Sequence, residues 1–301
     1  MIRVGPAGWS YPDSPGHVYP ADAPKKFDVL GFTASYFDTI EINSTFYRPQ
    51  GPTTCGAWAR RVAHNPDFRF TAKLWRRFTH EADAWTAEDV RAATEGLEVL
   101  RTEGRFGALL AQFPWSFKPG RDSTARLRRL AADLAGWPVV VEVRHGAWAK
   151  REHALLLREI GLGFCNIDQP QIGDSLEPTA GVTGPVGYVR FHGRNVEHWF
   201  AENEDSAQRY DYLYGAEELG PWVERIRKIA RGEGVTDVYV VSNNHFEGKG
   251  PANALMVRAM LEGRKVTAPP VLFATYAAQL GPWAEPGPPP GTGAGGAAPA
   301  S

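Results

Sequence analysis

Cysteine is scarce: Cys55 and Cys165 are the two in 301 residues. Two thiols cannot build a disulfide framework, and neither stands in a CxxC or Cys/His spacing that would hold zinc. The scarcity fits a reducing compartment. No stretch approaches the ~18 consecutive apolar residues of a membrane-spanning helix. The opening MIRVGPAGWSY has no apolar core of a secretory signal. The expected setting is the cytoplasm, with no membrane partner. Charge of one sign is not in excess either: 33 Lys+Arg face 34 Asp+Glu, a net charge of -1. Bulk charge therefore does not draw the chain onto nucleic acid. Glycine-rich phosphate turns are missing too. The turn after the first β-rich run reads AGWSYPDSPG rather than GxGxxG, and there is no GxxxxGK.

What is present suits a folded globular chain, with 43% hydrophobic and 22% charged residues. Eight short β-rich runs recur: Ile2–Ala7, Thr39–Asn43, Phe68–Lys73, Phe106–Gln112, Val139–Arg144, Gly163–Asp168, Gly187–His192 and Asp237–Asn243. Amphipathic segments separate most of them. Val90, Ala93, Leu97 and Leu100 share one helical face, behind a Thr86/Asp89 capping box. Similar faces are formed by Leu127, Leu130, Ala131 and Leu134, by Trp222, Ile226, Ile229 and Ala230, and by Leu255, Met256, Ala259 and Met260. The link from Asp168 to Gly187 carries three prolines and no helical pattern. Eight strands alternating with helices predict a parallel sheet, either closed into a barrel or open and doubly wound. Eight units without a nucleotide turn favour a single eight-fold β/α (TIM-type) barrel over residues 1–283. Residues 284–301 are rich in Gly, Pro and Ala with little to bury, and read as a disordered tail.

Alternation along the strands carries the functional signal. Val139, Val141 and Val143 oppose Val140, Glu142 and Arg144; Phe68, Phe70 and Ala72 oppose Arg69, Thr71 and Lys73. Val189 and Phe191 oppose Tyr188, Arg190 and His192; Ile40 and Ile42 oppose Thr39, Glu41 and Asn43. Gln112, Asp168 and Asn243 end polar sets on three further strands. The apolar sets are expected to face helices and the polar sets to point inward, toward the C-terminal ends where barrel active sites lie. An unpaired buried charge costs about 3–5 kcal/mol, against about 5–15 kcal/mol for a whole domain. Glu41, Lys73, Glu142, Arg144, Asp168 and Arg190 must therefore pair with one another or face a hydrated hollow. The first arrangement is an ionic core that fixes register; the second is a pocket with perturbed pKa values, and it is the preferred reading.

These residues lie in strings that resemble the domain of unknown function 72 family, also called the YecE-like family. The strings are GWSY at Gly8–Tyr11, ASYFDTIEINSTFYR at Ala34–Arg48, FRFTAK at Phe68–Lys73, LLAQFPWSF at Leu109–Phe117, VEVRHGAW at Val141–Trp148, YVRFHGR at Tyr188–Arg194 and SNNH at Ser242–His245. The resemblance implies an eight-fold β/α barrel and carries no established activity.

Glu41 and Glu142 are the candidate acid–base pair, with His192 as a proton relay. Lys73, Arg144, Arg190 and Arg194 could grip phosphate or carboxylate. Asn43, Gln112, Asp168, Asn243 and Asn244 complete the expected substrate-binding set. A hydrolase or lyase acting on a small anion is the leading expectation, the anion being a phosphorylated sugar, a sugar acid or a nucleotide. The alternative is a divalent-metal-dependent barrel acting on sugars or nucleic-acid phosphodiesters, the ion held by Glu41, Glu142, Asp168 and His192, but the cations on the same wall oppose it, and no cofactor is expected. The aromatics expected around the mouth, including Trp199, Phe200, Tyr210, Tyr212 and Tyr214 of the long 193–220 connection, leave open a non-catalytic binding module for nucleic acid or protein. Nothing in the sequence fixes an oligomeric state.

Overall fold

In the computed structural model, residues 1–81, 84–197, 199 and 208–288 are described. The period-two runs become eight strands: β1 (Ile2–Pro6), β2 (Thr39–Ile42), β3 (Arg69–Lys73), β4 (Phe106–Gln112), β5 (Val139–Glu142), β6 (Gly163–Asp168), β7 (Val186–Phe191) and β8 (Asp237–Ser242). All neighbours pair in parallel, in the order β1-β8-β7-β6-β5-β4-β3-β2. The cylinder closes between β1 and β2 through the Ala7–Glu41 bridge and a 2.8 Å bond from Gly8 N–H to the Glu41 carbonyl. That seam is tight: a Cβ on Gly5 would lie 1.8 Å from the Thr39 carbonyl oxygen. Only glycine lets the two backbones approach this closely.

Helices lie between the strands: α1 (Val29–Ala34), α2 (Ser44–Tyr47), α3 (Pro52–Arg61), α4 (Ala87–Thr102), α5 (Arg121–Asp133), α6 (Arg151–Glu159), α7 (Ala216–Ala230) and α8 (Lys249–Glu262). The capping box before α4 forms as its residues predict. Asp89 N–H donates to Thr86 Oγ1, and Thr86 N–H donates to the Asp89 carboxylate at 2.7 Å. No helix joins β6 to β7, in keeping with the prolines there. On β7, Val189 and Phe191 pack with Trp222, Ile226 and Ile229 of α7, the Phe191 and Trp222 rings meeting edge to face at 5.4 Å. Period-two and period-3.6 apolar patterns thus meet in one layer, and the opposite strand face is left to fill the barrel.

Two expectations need correction. Ala284–Pro286, assigned from composition to a disordered tail, pair in parallel with Val266–Ala268, and Ala284 is buried. Backbone pairing holds this segment regardless of its poor apolar content; residues 289–301 of the expected tail lie outside the described residues. The second correction concerns β6. Its polar set points outward: Asn166 bonds to Thr179, Gly181 and the Tyr188 carbonyl, and Asp168 bonds to Trp222 of α7. Among the described residues, no helix is long and apolar enough to cross a membrane.

Candidate active site at the barrel mouth

The inward set of β2, β4, β5 and β7 meets around one guanidinium. Arg190, with no exposed surface, donates from Nη2 to Glu41 Oε1 at 2.7 Å and from Nη1 to Glu142 Oε2 at 2.6 Å and Gln112 Oε1 at 3.0 Å. Below it the Tyr188 hydroxyl donates to Glu41 Oε2 at 2.9 Å and lies 2.7 Å from Thr71 Oγ1. Arg144, just past the end of β5, adds a 3.0 Å bond from Nε to Glu142 Oε1. Glu41, Glu142, Arg190 and His192 are all fully buried. For these groups the structure takes the ionic-core arrangement, and the pairing offsets the desolvation of each charge.

Electrostatics fixes their protonation. Burial alone would raise the Glu142 pKa, but the guanidiniums of Arg190 and Arg144 outweigh it and hold the carboxyl well below its ordinary range. Glu142 is therefore a carboxylate at neutral pH. His192, in the first position after β7, is pushed down to about 3 by burial, which the nearby Glu142 charge does not offset. It is a neutral imidazole. Its Nδ1 lies 3.1 Å from the Asn243 amide nitrogen and its Nε2 3.2 Å from Glu142 Oε1. Since an amide nitrogen can only donate, Nδ1 accepts and the proton sits on Nε2. That N–H is poorly aligned with the carboxylate, and Nε2 makes no good hydrogen bond.

Above this buried floor lies a second layer that reaches solvent in part: Asn43, Lys73, Gln112 and Arg144. Asn43 donates to the Tyr11 hydroxyl at 2.9 Å. The Lys73 ammonium sits 4.3 Å from the Phe46 ring centre, and Arg144 lies 5.5 Å from the ring centre of Trp199. Among the described residues, no carboxylate comes within ion-pair distance of Lys73 Nζ. Loss of hydration, and then the Arg190 charge, lower its pKa from 10.5 to about 8, against the opposing pull of Glu41 and Glu142. Three cations (Lys73, Arg144, Arg190) thus face two carboxylates (Glu41, Glu142), an excess of one positive charge at the mouth.

Three residues expected at the site are engaged elsewhere. Asp168 accepts from Tyr214 Oη and Trp222 Nε1, each at 2.6 Å, and from Arg194 Nε and Nη2 at 2.9 and 2.7 Å. Arg194 spans Asp168 and Glu218, so both serve to tie β6 to the start of α7. Asn244 donates to the Tyr212 carbonyl and to Asn253, binding the β8 loop to α8. The reason is common to all three: partners 9 to 54 residues away in sequence turn these side chains from the mouth. Asn243 stays beside His192. Tyr188, absent from the candidate set, joins the site; it could have been found, because it continues the inward set of Arg190 and His192. Trp199, expected among the aromatics of the mouth, lies beside Arg144. Phe200 lies outside the described residues. No three His, Cys, Asp or Glu side chains are grouped to hold a metal ion among the described residues.

Fold and site together define a β/α barrel with a sealed ionic floor and a cationic, aromatic mouth. The chain belongs to the family described as Protein of unknown function DUF72, whose model matches residues 3–274. It is similar to the crystal structure of a DUF72 family protein from Thermotoga maritima, with 32% identity and a TM-score of 0.75, over 87% of this chain and 99% of that one. It also resembles a DUF72 family protein from Enterococcus faecalis, with 24% identity and a TM-score of 0.75, over 87% of this chain and 96% of that one. None of the curated proteins compared with the chain matches it.

Proposed function

We propose that the barrel mouth is the active site of a hydrolase or lyase whose substrate is a small anion, such as a phosphorylated sugar, a sugar acid or a nucleotide. The observation that carries this reading is Lys73, a cation at the C-terminal end of β3 with no carboxylate partner among the described residues, beside Arg144 and Arg190. An unpaired charge in so crowded a place is costly, and a bound phosphate or carboxylate would supply its counterion. Arg144 spends Nε and Nη2 on Glu142 Oε1. Its Nη1 is left to reach a ligand in the fork geometry that suits phosphate and carboxylate. Gln112 and Asn43 offer hydrogen bonds at the same level.

In this reading Glu41, Glu142 and His192 are positioning residues rather than the acid–base groups their residue types suggest. None has exposed surface, and Glu142 has no proton to give at neutral pH. They hold Arg190 and Arg144, and through them the field at the mouth. Lys73 is the mouth group whose protonation changes nearest neutral pH, so it is the proton carrier.

Thermal unfolding with inorganic phosphate, glucose 6-phosphate, gluconate and AMP tests the reading. A ligand present at ~100-fold its Kd stabilises by about 2.7 kcal/mol, a rise of roughly 5–10 °C. At least one anion should produce it in the wild type, and Lys73→Met should abolish it. A flat response to the whole panel contradicts the reading.

A further inference from the structure

We propose that Lys73 is a covalent catalyst, its Nζ condensing with the carbonyl carbon of an anionic aldehyde or ketone held at the barrel mouth. The inference rests on the anion-binding reading and narrows it to lyase-type chemistry through an imine. An amine attacks a carbonyl only when neutral, so its surroundings must oppose the ammonium form. Those of Lys73 do so in two ways: the guanidiniums of Arg190 and Arg144 share the barrel end with it, and no carboxylate pairs with Nζ among the described residues. The Phe46 ring, 4.3 Å away, attracts the cation weakly and does not reverse them. Lys249 shows the contrast: it ion-pairs with Asp211 and Glu247, an environment that holds a charge. The charged and titratable groups facing Lys73 are Glu41 from β2, His80 from the loop after β3, Glu142 and Arg144 from the end of β5, and Arg190 from β7. The resulting pKa of about 8 leaves a fraction of neutral amine at physiological pH.

The chemistry balances without an external oxidant or reductant. The Nζ lone pair forms the C–N bond while the carbonyl π electrons move to oxygen, which takes the proton shed by nitrogen. The carbinolamine hydroxyl then leaves as water with one proton, and the nitrogen lone pair closes the C=N bond. Net, the ammonium and a carbonyl give an iminium and water. The iminium accepts the electron pair of an adjacent C–C or C–H bond when that bond breaks. Arg144 Nη1 is placed to hold the anionic group of the same molecule.

The test is reductive trapping on the full chain. Pyruvate and dihydroxyacetone phosphate are the probes, sodium borohydride the trap, and peptide mapping reads all eight lysines. The expected result is one adduct, on Lys73, about tenfold above any other lysine. Inorganic phosphate at about ten times its Kd should suppress it about tenfold. Lys73→Arg keeps the charge but cannot form an imine, so it should lose the adduct while retaining the thermal shift with phosphate. Labelling spread evenly over the lysines, or none on Lys73, overturns the proposal. If anions stabilise the wild type but no Lys73 adduct forms, the imine fails and the anion site stands. If neither occurs, both fail.

Discussion

Arg190→Met is the most informative single perturbation of the barrel. It removes the guanidinium that bridges Glu41 and Glu142 at 2.7 and 2.6 Å, with all three residues fully buried. Methionine fills much of the volume, so the loss is electrostatic rather than a cavity. Breaking a buried ion pair by removing one partner costs about 3–5 kcal/mol. At about 2–4 °C per kcal/mol for a domain of this size, the midpoint should fall by roughly 6–20 °C at pH 7. The pH dependence should also weaken. In the wild type the Glu142 pKa lies below its unfolded value, so its contribution is present above about pH 4.3 and is lost as pH falls through the folded pKa. Without Arg190, burial is opposed chiefly by Arg144, and that pKa rises. The variant then loses less stability than the wild type as pH falls. Urea titrations at pH 5 and pH 7, followed by tryptophan fluorescence, read both effects. Adding Glu41→Gln and Glu142→Gln to Arg190→Met should restore much of the loss, because no fully buried carboxylate is left unpaired; Arg144 loses its ion pair but reaches solvent in part. A single variant within 1 kcal/mol of wild type at pH 7, or with the wild-type pH slope, would refute the claim that this network is a sealed ionic floor.

Gly5→Ala should prevent closure of the barrel between β1 and β2, since the added methyl meets the Thr39 carbonyl oxygen at 1.8 Å; a loss of at least about 3 kcal/mol, or insoluble expression, is expected on comparing soluble yield and urea midpoint with Gly51→Ala, where nothing lies within 4 Å and the backbone suits alanine. Trp222→Phe removes the 2.6 Å indole bond to Asp168 Oδ2 while keeping an aromatic ring; it should cost about 1–3 kcal/mol in urea unfolding while leaving phosphate-dependent stabilisation intact, because Asp168 faces α7 and not the mouth.

The strands were legible because each barrel strand buries one face against helices, so apolar residues recur at period two. The Phe68, Phe70 and Ala72 run and the Val139, Val141 and Val143 run show this plainly, and the β3 and β5 that follow carry Lys73 and Glu142 inward. Asp168 shows where the rule fails. On β6 the inward residues Cys165 and Ile167 are apolar, and a polar outward set is tolerated only because Trp222, Tyr214 and Arg194 satisfy it. Those partners arrive through tertiary packing, which local alternation does not encode. Pairing inside the barrel was equally hidden. The sequence places Glu41, Glu142 and Arg190 on inward faces, but strand register alone brings the one arginine between the two carboxylates. That geometry turns expected acid–base groups into a floor and, among the described residues, leaves Lys73 at the mouth without a carboxylate partner.

The most direct test of that central claim is an NMR titration of the Lys73 Nζ, assigned by loss of its signal in Lys73→Arg, with and without inorganic phosphate. A midpoint near 8 that moves upward when phosphate binds is the predicted result. A midpoint near the ordinary 10.5, unmoved by phosphate, would contradict it.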